Sequence, residues 1–170
     1  YSTMDASPKP LELTGEQLIP QPLPQVEFVY ATGSVEAEGF RLKRLRGEGE
    51  ITAVDRGPEG ASAGVLTWQG AKKDSYATLT FNVTGSGLWD TMAKVYTYPG
   101  APSVIFYLDG KEAGESIDLN AEVEGWKNFP IGAHKLANRE HVITIKILTE
   151  PAAEKQPTII MDYLRLKLHD

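Results

Sequence analysis

Along most of this chain apolar and polar residues alternate with a period of two, and glycine, proline and aspartate cut the alternation at short intervals. Ala77-Thr78-Leu79-Thr80-Phe81-Asn82-Val83 shows it most cleanly, with Leu79, Phe81 and Val83 on one side and Thr78, Thr80 and Asn82 on the other. That period belongs to a strand with one buried face. No stretch of useful length carries the 3.6-residue period of an amphipathic helix. Further strands are expected at Val26–Tyr30, from Val35, at Ile51–Val54, Val65–Gln69, Leu88–Tyr98, Ser103–Leu108, Ser116–Leu119, Phe129–Ile131, His141–Leu148 and Thr158–Leu168. Ser103–Leu108 is apolar on both faces and belongs inside a sheet, while Asp109-Gly110 is a tight-hairpin signal. Many short strands so spaced define an all-β fold, an antiparallel β-sandwich of the jelly-roll kind.

At 170 residues the chain is read as one domain with an arm. Five of the eleven prolines fall in residues 1–24, which therefore form an extended Pro-rich arm or linker, and 25–170 is the sandwich. The net charge of −6 disfavours a nucleic-acid partner, since phosphate binding needs clustered Lys and Arg. The one basic run, Arg41 to Arg46, is short and is followed by Glu48 and Glu50, so it reads as a solvated strand face. There is no cysteine, which removes disulfides, thiolate chemistry and Cys-type zinc sites. No apolar run is long enough to span a bilayer. The first residue is Tyr1, not Met, which suggests a removed signal peptide or a domain cut from a longer chain, and the expected location is secreted or periplasmic.

Two stretches put acid where the pattern wants apolar residues. By parity Glu36 and Glu38 share a face with Phe40 and Leu42, and Asp162 shares one with Ile160, Leu164, Leu166 and Leu168. A carboxylate on a core-facing row is costly unless it is neutralised. A bound hard cation would do so, and calcium takes carboxylate and carbonyl oxygens. Pairing by Arg41, Arg44 or Lys167, or exposure at strand ends, would also serve. If first and last strands pair, the three acids meet.

Sugar rings have an apolar face that stacks on aromatic side chains and hydroxyls that need polar partners. Trp126, Trp68, Tyr98 and Asn128 are the ligand-binding candidates. Trp126 leads because it lies in a polar, glycine-bearing stretch, whereas Trp89, inside a strand, belongs to the core. Catalytic patterns are thin: the three histidines, His134, His141 and His169, form no ordered triad with a nucleophile, and no phosphate loop has its strand–loop–helix setting. The chain is therefore read as non-catalytic.

Several motifs share their order with a known family. Val35-Glu36-Ala37-Glu38 resembles the opening of jelly-roll, galactose-binding-like carbohydrate-binding modules of families six and thirty-five. Phe106-Tyr107-Leu108-Asp109-Gly110-Lys111 is similar to their "LDG" hairpin, Gly125-Trp126 to a tryptophan that follows it, and Glu140-His141-Val142-Ile143-Thr144 to their "GEHTL" strand. Met161-Asp162-Tyr163-Leu164 is similar to their closing "lDyi" strand. Trp68 to Asp74 and the Thr-rich strand after it look like accessory domains of secreted bacterial proteins of glycoside-hydrolase type. The resemblance covers about residues 34 to 168 by element order. It implies a structural calcium at Glu36, Glu38 and Asp162, and a carbohydrate or an adjacent catalytic domain as partner. One departure touches the sugar site: where those modules commonly carry asparagine before the final strand, this chain has Gln156-Pro157-Thr158-Ile159-Ile160. The expected function is an exported, non-catalytic carbohydrate-binding or accessory module, the alternative being a structural or protein-interaction sandwich without sugar binding.

Overall fold

The computed structural model describes residues 34–62, 64–152 and 157–169. The Pro-rich arm at 1–24 and the strand expected at Val26–Tyr30 lie outside the described residues. The strands in chain order are β1 (Ser34–Glu36), β2 (Arg41–Arg46), β3 (Glu50–Val54), β4 (Val65–Gln69), β5 (Tyr76–Asn82), β6 (Gly87–Thr97), β7 (Ser103–Leu108), β8 (Lys111–Asp118), β9 (Gly125–Leu136), β10 (Glu140–Ile147) and β11 (Ile159–Leu168). They form two antiparallel sheets, one ordered β3-β4-β11-β6-β9 with β1 added beside β11, the other ordered β2-β5-β10-β7-β8. The fold is the antiparallel jelly-roll sandwich that the alternation implies.

The inward rows of the two sheets close on each other. Leu79 and Phe81 of β5, Phe106 of β7, Ile143 and Ile145 of β10 and Leu164 and Leu166 of β11 are all buried. Removing this much apolar surface from water, at about 25 cal/mol per Å², is the main force holding the sheets together. Ser103–Leu108 is paired on both sides, by β10 and β8, as its composition requires. The Asp109-Gly110 turn has φ of 51° and 84°, the left-handed pair that suits a two-residue hairpin.

The chain departs from its strand pattern at one place that matters. The strand expected from Val35 is broken by a short 3-10 turn at Ala37–Gly39, closed by Phe40 N–H donating to Ala37 O at 3.0 Å. β1 on one side of the turn belongs to the six-stranded sheet, and β2 on the other side to the five-stranded sheet. Glu36 and Glu38 therefore do not share a strand face with Phe40 and Leu42. The turn carries the chain between layers and leaves both acids at the rim of the sandwich. A second adjustment follows in β2, where the register with β5 shifts between Leu42 and Arg44. Arg41, Arg44 and Arg46 then stand opposite Thr80, Thr78 and Tyr76, all on one side of the sheet.

Candidate functional site

First and last strands do pair: Glu36 lies opposite Tyr163, and the register of β11 with β6 shifts between Met161 and Tyr163. Asp162 sits at that irregularity and is fully buried. The loop from β3 to β4 folds over the same rim and supplies its donors. Ser62 N–H donates to Asp162 Oδ2 at 2.8 Å, and Gly64 N–H donates to Glu38 Oε2 at 3.1 Å. Ser62 Oγ lies 2.8 Å from Glu36 Oε1 and 2.9 Å from Asp162 Oδ1. Acids from near the two ends of the described chain thus gather around one serine.

Gly64 is fixed by this packing. A Cβ there would collide with Val54 O and stand 3.1 Å from Glu38 Oε2, so the backbone could not come this close with any side chain. Two observations show unmet demand for positive charge or protons. Glu38 Oε1 is buried and has no hydrogen-bond partner among the described residues. Ser62 has one hydroxyl hydrogen for two carboxylate oxygens, so one of its short contacts lacks a proton. Burial, opposed by backbone N–H donors and reinforced by the negative charges of Asp162 and Asp55, pushes the Glu38 carboxyl above its usual range.

The neutralising cation near Asp162 is one the sequence did not mark. Lys94 Nζ lies 3.1 Å from Asp162 Oδ2 and donates to Gly60 O at 2.7 Å. It also lies 5.3 Å from the centre of the Trp126 ring and 5.2 Å from that of Tyr163, within range of cation–π attraction. Lys94 occupies an outward position of β6 between Asn128 of β9 and Tyr163 of β11, so register alone assembles the group. The only available sequence signal was a lysine on the outward parity of a long strand.

The ligand candidates divide. Trp126 is half-buried, with Nε1–H donating to Glu59 O at 3.1 Å and its ring meeting Tyr96 edge-on at 5.2 Å. Asn128 is exposed on the same side of the sheet and accepts from Tyr163 Oη at 3.5 Å. Trp68 and Tyr98, by contrast, are core residues, 1% and 0% exposed, with no ring face for a ligand. Trp68 Nε1–H donates to Glu48 O and Tyr98 Oη–H to Thr158 O, so each satisfies its polar atom while packing inside. Trp89 is core, as its strand position required. Among the described residues no three carboxylate or imidazole groups stand in the geometry of a metal centre.

No protein-family pattern matches the sequence, and no curated protein sequence matches it. Solved structures do. The chain is similar to part of a Paenibacillus xanthan lyase at 18% identity and a TM-score of 0.66, over 88% of this chain and 14% of the lyase. It is similar to a family 35 carbohydrate-binding module from an environmental isolate, at 10% identity and a TM-score of 0.53, over 77% of this chain and 89% of the module. It is also similar to a family 6 module from the Cellvibrio mixtus lichenase 5A, solved with cellotriose, at 13% identity and a TM-score of 0.51, over 83% of this chain and all of the module. At these identities the likeness establishes the fold, that of galactose-binding-like jelly-roll domains. Of the lyase the chain spans a small fraction, about the size of one module.

Proposed function

We propose that this domain is a non-catalytic carbohydrate-binding module, an accessory unit of an exported polypeptide. The observation that carries the reading is the amphipathic platform on the solvent side of the six-stranded sheet. Trp126 and Tyr163 flank Lys94, Asn128 adjoins them, and aromatic faces beside polar heads are what a pyranose requires. Likeness to two whole carbohydrate-binding modules supports it. A structural calcium is part of the proposal. Glu36, Glu38 and Asp162 would have to draw closer than they stand to hold it, and what supports a hard cation is the unpartnered Glu38 Oε1 and the proton-short Ser62 contacts. When bound it would neutralise the rim and tie both ends of the domain to one point, raising stability by mass action.

Tryptophan fluorescence tests the sugar reading directly, because Trp68 and Trp89 are buried and a ligand-induced change reports on Trp126. Saturable change with a neutral oligosaccharide, lost in Trp126→Ala, is expected. A flat response across a broad glycan set overturns the reading. Calcium is tested by thermal unfolding of chelator-treated protein with and without the ion: a rise in Tm is expected, and an unchanged Tm removes the metal. A second reading, a protein-interaction sandwich, is favoured by Leu88 and Met92, exposed together on β6. Self-association or capture of a catalytic domain that Met92→Lys abolishes would select it.

A further inference from the structure

Two features of the solvent surface play no part in the Trp126 platform. The first lies at the other end of the same sheet face. Across β11, β6 and β9 the pairings set Met92 between Arg165 and Pro130, Asp90 opposite Lys167, and Leu88 opposite Lys135. Residues directly opposite one another point to the same side of a sheet, and all of these are exposed. Asp90 is answered by His169, whose Nδ1 lies 2.8 Å from its Oδ1. Among the described residues no ion pair answers Lys135, Arg165 or Lys167. In a protein of net charge −6, Leu88 and Met92 thus form an apolar patch with a basic frame.

The second feature is the loop between β8 and β9. Val123 is 79% exposed, more than any other large apolar side chain among the described residues, and Glu122 and Glu124 beside it are exposed too. This loop is pinned on both sides of Val123. Ala121 N–H donates to Tyr98 O at 3.2 Å, and Tyr96 Oη–H donates to Glu124 Oε1 at 2.8 Å. Loop tips favour glycine, proline and small polar residues. Here a branched apolar side chain is held out in water between two acids. The loop is an apolar knob with an acidic frame, the counterpart of the patch in both respects. The two cannot meet within one molecule. Leu88 stands at the start of β6, and the loop enters β9 opposite Thr97 at the end of β6. At about 3.3 Å per residue the separation is about 30 Å.

We infer that copies of this domain join head to tail, with Glu122-Val123-Glu124 of one copy seated on the Leu88 and Met92 patch of the next. Val123 leaves water against Leu88, Met92 and Pro130, while the glutamates face Lys135, Arg165 and Lys167. Because the loop is already pinned, little freedom is lost when it docks. Each frame is of one sign, so patch against patch and loop against loop are repelled. The contact is therefore heterologous, and it builds an open row or a ring, not a two-fold pair. One loop on one patch falls in the class of small, transient interfaces, below about 1,200 Å². The inference deepens the protein-interaction reading, on which it rests for Leu88 and Met92, by naming the partner and the segment it presents.

Sedimentation equilibrium of the protein from about 10 μM to about 1 mM tests it, a range suited to weak association. The mean mass should rise with concentration, pass that of two copies, and fall back when salt is raised from about 0.05 M to about 0.5 M. Val123→Asp removes the knob and Met92→Lys spoils the patch, and each alone should associate about tenfold or more weakly. Mixed one to one, the two variants should form pairs and nothing larger, because the intact patch of the first accepts the intact loop of the second. If Met92→Lys misfolds, Lys167→Glu takes its place and should behave the same way. A parent that stays a single copy at about 1 mM, association that survives Val123→Asp, or a mixture that remains single copies overturns the inference. If the parent stays single while a separate catalytic domain binds it through Met92, the inference falls and the protein-interaction reading stands.

Discussion

Replacing Lys94 by methionine keeps the length and apolar stem of the side chain and removes only the ammonium. Asp162 is fully buried, and Lys94 is 14% exposed, so the pair sits well inside the rim. Breaking a buried ion pair by deleting one partner costs about 3–5 kcal/mol. The Ser62 N–H remains on Asp162, and the Ser62 hydroxyl is shared between Asp162 and Glu36; together they soften the loss, which favours the lower end. The Gly60 carbonyl also loses its donor, a change of about 1 kcal/mol, and the ring contacts lose a few tenths more, partly overlapping with the first figure. The expected destabilisation is therefore about 3 kcal/mol, or about 6–12 °C in Tm for a domain of this size. Urea unfolding at neutral pH, followed by tryptophan fluorescence and circular dichroism, measures it. In the Lys94→Met background, adding Asp162→Asn should recover part of the loss, because the stranded charge is then gone. A Lys94→Met protein within about 0.5 kcal/mol of the parent, or no recovery in the double variant, refutes the claim that Lys94 neutralises this buried acid.

Three further outcomes follow from the geometry. Burial pushes the Asp109 carboxyl up, but N–H donation from Val142 and the contact with His141, 2.7 Å from Oδ2, outweigh it and leave it below its usual 3.8. Its contribution is thus present above about 3.8 and lost as pH falls through the lower folded value. Asp109→Asn, which tolerates the same left-handed turn, should cost about 1.5–3 kcal/mol at pH 7 and progressively less below pH 4 in urea unfolding. Glu38 has the opposite sign: its raised carboxyl favours the fold below 4.5, and that contribution is lost as pH rises through the folded value. With chelator present, Glu38→Gln should therefore gain stability relative to the parent between pH 4 and pH 7, and a parallel pair of curves would contradict this. Gly60 has φ of +105°, and a Cβ there would stand 2.7 Å from Trp126 Cδ1, so Gly60→Ala should shift the Trp126 fluorescence and destabilise by more than about 1 kcal/mol.

Strand positions were readable because each rests on a short-range rule. The alternation at Ala77–Val83 and the glycine–aspartate punctuation are local, and the observed strands follow them to within a few residues at most ends. Phe129–Ile131 was expected as a fragment, but β9 runs from Gly125 to Leu136, because Pro130 and the glycines mask a strand held by its pairing with β6. The parity argument held for the buried Asp162 and failed for Glu36 and Glu38, which share no face with Phe40 and Leu42. The meeting of Glu36 and Glu38 with Asp162 was legible from the pairing of first and last strands. The path to it was not, because a 3-10 turn at Ala37–Gly39 depends on the chain changing sheets. Lys94 escaped notice for a related reason. A lysine on an outward parity is ordinary, and only cross-strand register sets it between Asn128 and Tyr163 and under the β3–β4 loop. Trp68 and Tyr98 show the reverse error, for an aromatic residue with a polar atom looks the same in sequence whether that atom meets solvent or a buried carbonyl.

Because Ser34 lies opposite Arg165, the first and last described strands run side by side on one margin of the domain. A host protein can accept such a unit as a side lobe, with the flanking segments continuing almost as though nothing had been spliced between them. Joining residue 168 back to residue 34 through a brief connector, and opening the chain at the Asp109-Gly110 hairpin instead, should yield a permuted protein with the same architecture.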